Sequence, residues 1–265
     1  ALKAGDVAIT PFVGARQTFY SRDMSGDDRT FIRNNLETGV DASTKLFKVY
    51  DASFHGAGIH IDQMRHIFTP NISYFYQSRP TLDAGELFQF DQIDTIDHAS
   101  VMTLDFENKL QIKHRADPND AASPTIMREF IRSIVSFEFA MPQIDTNKLS
   151  QILTELDFKP WSWVTLHGDS RYAAEFDRFE EANLDVSYER GPLRVGFGQR
   201  FLHDASNQST AHLEWRASPL WKFGVFERYD FSRDSASVGG ENNEFEFVLE
   251  RSNFFCWTVR LIYNR

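Results

Sequence analysis

From Trp257 to Asn264 the chain alternates: Trp257, Val259, Leu261 and Tyr263 share one parity, and Thr258, Arg260, Ile262 and Asn264 share the other. A strand sends successive side chains to opposite faces, so this segment has one apolar, aromatic-ended face backed by a mostly polar one. Two environments satisfy such a strand: lipid on one side and water on the other, or the half-buried sheet of a soluble sandwich. One segment does not separate them, so the argument turns on repetition.

The pattern recurs along the chain. Val7 to Tyr20 alternates, with Ile9, Val13 and Phe19 opposite Thr10, Arg16 and Thr18. In the next segment Ile32, Leu36, Val40, Ala42 and Leu46 oppose Arg33, Glu37, Asp41, Ser43 and Lys45. At about 3.3 Å per residue, Phe31 to Val49 read as one strand is far longer than a typical globular strand. His66 to Tyr76 is extended, and its Pro70 removes one ladder hydrogen bond, marking an edge or a weakened pairing. Met102 to Lys113 confines its charges to one face. Ile126 to Met141 is less regular, because Phe130 and Ile134 share the parity of Arg128 and Arg132; we read it as a strand, with a helix as the alternative. Shorter units follow at 149–159, 163–172, 182–190, 193–203, 209–217, 220–231, 244–251 and 254–264. Evenly spaced strands with turn signals between them specify an all-β sandwich or barrel.

Composition narrows the choice. The chain of 265 residues carries 25 Phe, 8 Tyr and 5 Trp, yet no run reaches the roughly 18 apolar residues of a membrane helix. A mean hydropathy of -0.42 still suits a membrane barrel, where every second residue is polar. Between 182 and 264 short connections (Gly191-Pro192, Ser218-Pro219, Ser252-Asn253) alternate with longer polar ones (203–208, 232–243), as periplasmic turns alternate with external loops. The expected fold is an antiparallel transmembrane β-barrel of about 12–14 strands. Its last strand runs outward, which leaves the barrel partial and unclosed.

Net charge of -10 argues against a nucleic-acid partner. No Gly-rich phosphate loop, paired-histidine metal motif or nucleophile elbow is present, so neither enzyme activity nor a cofactor is expected. His55 and His60 are the closest histidines and read as a solvated loop. The N-terminal Ala-Leu-Lys-Ala-Gly carries no charged-then-apolar leader. The candidate water-facing residues of the barrel interior are Arg33, Glu37, Asp41, Lys45, Asp105, Glu107, Arg194, Arg200 and Arg260. The candidate aromatic girdle is Trp221, Phe223, Trp257 and Tyr263. Glu227 shares the parity of Phe223 and Val225, and a carboxylate facing lipid there predicts a bulge or a position at the interface.

Four stretches, in order, resemble the LPS-assembly protein LptD family: Gly39-Val40-Asp41-Ala42-Ser43-Thr44-Lys45-Leu46-Phe47-Lys48-Val49; His66-Ile67-Phe68-Thr69-Pro70-Asn71-Ile72-Ser73-Tyr74-Phe75-Tyr76; Ile93 to Asp97 with Leu104 to Gln111; and Cys256 to Arg265. The resemblance implies the C-terminal portion of an outer-membrane barrel, residues 1–265, that inserts lipopolysaccharide into the outer leaflet without chemical catalysis. It also implies a lateral opening in the bilayer, an LptE-like plug lipoprotein and an LptA-like periplasmic bridge protein. The alternative is a porin passing small solutes. The family's jellyroll, first barrel half and closing strand have no counterpart here. Cys256 matches the second of two adjacent family cysteines and Phe255 replaces the first, so the resemblance implies one disulfide from Cys256 to a cysteine outside these residues; a free thiol packed at a strand start is the alternative.

Overall fold

The computed structural model describes residues 2–21, 30–82, 85, 97–116, 120, 122–141, 148–231 and 243–251, and the backbone path of 257–264. Its strands are β1 (Leu2–Ala4), β2 (Val7–Tyr20), β3 (Phe31–Thr44), β4 (Leu46–Tyr50), β5 (Phe54–Gly56), β6 (Ile59–Ile61), β7 (Gln63–Gln77), β8 (Ala99–Arg115) and β9 (Thr125–Ala140). They continue with β10 (Lys148–Trp161), β11 (Val164–Ala173), β12 (Arg178–Arg190), β13 (Leu193–Leu202), β14 (Ser206–Trp215), β15 (Trp221–Asp230), β16 (Asn243–Arg251) and β17 (Trp257–Asn264). No α-helix occurs among the described residues, and Thr125–Ala140 is a strand.

The sheet order is β1-β2-β3-β7-β8-β9-β10-β11-β12-β13-β14-β15-β16-β17, with β4 added on β7; β5 and β6 form a separate hairpin. Neighbours run antiparallel wherever their register is defined. Among the described residues no ladder joins β17 to the first strands, so the sheet is unclosed, as a partial barrel is. Thirteen of these strands have eight or more residues, within the expected range.

Local chemistry sets the turns. Gly5 (φ 63°) folds β1 back on β2, and Gly191 (φ 60°) joins β12 to β13. Asp177 and Asp204, whose short polar side chains tolerate the left-handed region, turn the chain before β12 and β14. The expected alternation of short and long connections is less strict than the sequence suggests. β14 begins at Ser206, leaving three residues at 203–205, whereas 216–220 has five.

The long strand expected over 31–49 breaks at Lys45, between β3 and β4. β2 begins at Val7, whose partner is Thr44, so beyond Thr44 nothing continues the ladder on that side. Pro70 explains the other side. The last β3–β7 pair is Ser43 with Asn71, so the missing proline N–H falls at the break. β7 nevertheless lies between β3 and β8, not at an edge.

The described residues cluster into two units: Ala1–Leu46, Phe68–Phe106 and Ser136–Ile152; and Phe47–Ile67, Glu107–Val135 and Leu153–Arg265. Neither contains a core of the soluble kind. In the first, Tyr20, Arg33, Asn35 and Ser136 are buried; in the second, Ile61, Ile67 and Ile112 are. Leu184, Phe197, Leu213 and Phe245 of the second unit are exposed. Sheets whose apolar side chains remain exposed while the ladders are complete need an apolar medium on that face.

Candidate functional site: an ion-paired face opposite an aromatic-bordered one

Within the second unit the register divides β12–β16 into two chemically distinct faces. One row pairs Tyr188 with Val195, Val195 with Leu213, Leu213 with Val225 and Val225 with Phe247. Its neighbour joins Leu193, Trp215, Phe223 and Leu249. The row between them carries Glu189, Arg194, Glu214, Gly224 and Val248, and the row on the other side of the first carries Ser187, Gly196, His212, Phe226 and Glu246. Because the period is two and the register does not slip from β12 to β16, charge stays on one face across successive strands.

Arg132 of β9 is the hub of that face. It lies 2.9 Å from Glu107, 2.6 Å from Glu155 and 3.4 Å from Asp157. Lys109 reaches Glu107 at 2.9 Å, and His167 lies between Asp157 at 2.9 Å and Asp169 at 3.5 Å. One connected network therefore stitches β8, β9, β10 and β11 together. Asn183 extends it to β12 through Asp169, and separate pairs follow on the same face: Arg200 with Asp185, Arg194 and Lys222 with Glu214, and Arg228 with Glu244. Ligand atoms of Glu155, Asp157 and His167 lie within 4.8 Å of one another, a spacing that could hold a cation. The Arg132 guanidinium already supplies positive charge to both carboxylates, so the group reads as part of the ion-pair network.

Arg132→Met should lower stability by about 1–2 kcal/mol. The hub is half-buried, which places it above a single exposed pair and below the removal of a buried partner. Arg132→Lys should recover only part of this, since an ammonium cannot fork between separate carboxylates. Urea unfolding midpoints of the vesicle-embedded full-length protein would show the order; equal midpoints for wild type and Arg132→Met would refute the hub.

The opposite face is bordered by aromatic residues. Near the 216–220 connection Phe223 stacks with Trp215 at 5.8 Å and with Trp221 at 6.4 Å, and Arg251 lies over the Trp221 ring. Near the other strand ends Tyr229 meets Phe231 at 4.6 Å, and Tyr172 meets Phe179 at 5.3 Å. Trp221 to Tyr229 is eight residues, about 26 Å along a strand. At the usual barrel tilt of about 40° that is about 20 Å along the normal, close to the apolar band of an outer-membrane barrel.

Glu227 lies on this face, paired with Ala211 and Phe245. Of the two expectations for it, a bulge or an interface position, the bulge is absent: β15 keeps its register with β14 from Phe223 to Asp230 and with β16 from Trp221 to Tyr229. Beyond Glu227 the same face turns polar, with Gln199 bonded to Asn207 and Ser209. The carboxylate therefore marks the border of the apolar band, and no backbone irregularity is needed to place it there.

The other residues singled out in the sequence fall as follows. Arg33 is 1% exposed. The segment after β7 folds along that end of β3, with Ser78 accepting from Asn35 and Leu36, and Thr81 from Asn34. Glu37 is paired with Gly14 and Gln77, and Asp41 with Thr10 and Ser73. Lys45 sits exposed at the strand break, and Asp105 accepts from Asn71 at 3.0 Å. Arg260, Trp257 and Tyr263 occupy ladder positions opposite Val248, Arg251 and Phe245. Cys256 lies outside the described residues. His55 and His60 face each other across the β5–β6 hairpin with Nδ1 atoms 3.3 Å apart. Sequence reasoning missed Arg132 and His167 as network members; the irregular parity of 126–141 hid the first, and nothing local distinguishes the second.

A family model described as LptD, LPS transport system D, matches residues 3–234. The Cys256 to Arg265 stretch lies beyond that match. No curated protein matches the chain. Among solved structures, a triple mutant of Rh. blastica porin aligns at 8% identity, covering 96% of this chain and 94% of that one, with a TM-score of 0.32. A chain described as "Asymmetric conductivity of engineered proteins" aligns at 8% identity over 97% and 94%, also at 0.32. The fold rests on the strand pairing above.

Proposed function

The chain belongs to the LptD family, LPS transport system D, and on that premise we propose that it is the C-terminal portion of an outer-membrane barrel that delivers lipopolysaccharide to the outer leaflet. The reading includes no chemical step on the lipid. The observation that carries it, beside family membership, is the constancy of the two faces: ion pairs from β8 to β16 on one, and an aromatic-bordered apolar band on the other. A polar sugar headgroup needs the first environment and acyl chains need the second. An unclosed sheet gives the two a common boundary at its edge strands. An LptE-like plug lipoprotein against the polar face and an LptA-like bridge on the periplasmic side complete the reading.

Depletion of the full-length protein in its host should lower newly exported surface lipopolysaccharide severalfold while total synthesis continues. Pulse-labelling followed by surface extraction measures it. Unchanged surface lipopolysaccharide would remove the transport reading, and solute conductance by the reconstituted protein would then favour a porin.

A further inference from the structure

We propose that a pocket between the β5–β6 hairpin and the β10–β11 turn binds the phosphate group of a membrane lipid. The proposal rests on the outer-membrane reading above but uses residues that the reading does not.

The hairpin is held in place. Ala57 (φ 51°) and Gly58 (φ 74°) both adopt positive φ, the signature of a tight two-residue turn. A residue with a Cβ rarely takes that conformation, and here the Ala57 carbonyl accepts a hydrogen bond from Trp161 Nε1 at 3.0 Å. Beyond β6, Asp62 N donates to Lys113 O at 2.8 Å. The insertion is thereby tied to both β10 and β8.

Between these anchors lies a cavity of about 110 Å³, lined by Gly58 and His60 of the hairpin, His114 of β8, Arg128 of β9, and Trp161, Ser162 and Trp163 at the turn. That is room for a small polyatomic group, since one water takes about 30 Å³ of liquid. No carboxylate lines it, in contrast to the face around Arg132. Arg128 donates to the carbonyls of Lys159 and Pro160. A guanidinium has five N–H groups, so these bonds aim it while leaving donors to spare. His114 Nδ1 is 2.8 Å from Arg115 O. A carbonyl only accepts, so Nδ1 carries a hydrogen and Nε2 remains for a ligand, as an acceptor in the neutral ring and as a second N–H donor to an oxyanion in the imidazolium form. Ser162 adds a hydroxyl. Pre-aimed Arg, His and Ser donors without a competing carboxylate select an oxyanion, and Arg suits phosphate in particular.

The aromatic wall points to a lipid as the source. Trp161 and Trp163 stack at 4.9 Å, Tyr188 meets Trp163 edge-on at 5.2 Å, and Arg190 covers the Trp163 ring. Tryptophan and tyrosine at strand ends sit at headgroup level in membrane proteins, the depth at which lipid phosphates lie.

The test is native mass spectrometry of the full-length protein in non-ionic detergent, titrated with phosphatidylglycerol, with diacylglycerol of the same chains, or with inorganic phosphate as competitor. Wild type should retain phosphatidylglycerol, not diacylglycerol, and lose it to millimolar phosphate. Arg128→Gln should weaken retention on the order of tenfold, the loss expected for one charge-assisted bond. Because Arg128 also ties down two carbonyls, His114→Phe, which leaves those contacts intact, should weaken it as well. Equal retention by wild type and both variants overturns the site. Binding of inorganic phosphate without phosphatidylglycerol overturns the lipid source. Either failure would leave surface lipopolysaccharide export unaffected as evidence for transport, so the two readings fall separately.

Discussion

Val225→Arg should destabilise the folded protein by about 2–4 kcal/mol, whereas Phe226→Arg, the next residue in the same strand, should be nearly neutral. Val225 lies in the wholly apolar row, paired with Leu213 and Phe247. An arginine near the middle of a lipid-facing band costs that much in outer-membrane barrels. Phe226 is paired with His212 and Glu246 on the charged face, where a new guanidinium meets water and carboxylates. Denaturant midpoints of the vesicle-embedded protein would measure both. The size difference between Val and Phe works against the expected order, so the comparison isolates the face. Equal costs for the two variants would mean that the sheet does not separate lipid from water.

Gly39→Ala should cost about 1–3 kcal/mol or more, and more than Gly196→Ala, although the closest contact is shorter at Gly196. A Cβ on Gly39 would stand 2.4 Å from the Tyr74 carbonyl oxygen and 2.5 Å from the Phe12 ring. Gly39 is paired with Phe12 on one side and Phe75 on the other, and the two rings stack at 6.3 Å with 22° between planes. The rings cover the glycine, an arrangement that compensates a sheet for its missing side chain. The Tyr74 carbonyl belongs to the ladder and cannot swing aside. At Gly196 the Cβ would meet His212 Cε1 at 1.9 Å, but that atom is the end of a side chain that can adopt another rotamer. Elsewhere in a strand Gly→Ala gains roughly 0.5–1 kcal/mol from backbone entropy, which sharpens the contrast. Thermal or denaturant midpoints that rank Gly196→Ala as the more damaging would show that the nearest distance, not the kind of neighbour, decides.

Much of the fold is legible in the alternation alone. Val7–Tyr20 emerges with the expected bounds, and β13 and β16 lie within one residue of theirs. The two faces of each strand in β12–β16 follow from parity, which is why Arg194 and Arg200 could be grouped before any pairing was known. Where parity is disturbed, as around Arg128 and Phe130, the reading weakens, and the hub at Arg132 falls in that stretch.

Alternation is a property of neighbouring residues, so the sequence by itself determined most of the long strands, the apolar face of those that alternate cleanly, and that no run is apolar enough for a membrane helix. It also carried the family, through the four stretches and the match over residues 3–234. Partners come from elsewhere in the chain, and only the tertiary structure decided those. The break at Lys45 exists because β2 begins at Val7, 38 residues before the break in sequence, and because Pro70 falls opposite. Arg132 is a hub because β8 and β10 flank it, and the cationic pocket exists because a hairpin at Ala57 docks on Trp161, 104 residues away. Such contacts depend on register between strands distant in sequence, and a period of two fixes the face a side chain takes without fixing what it meets there.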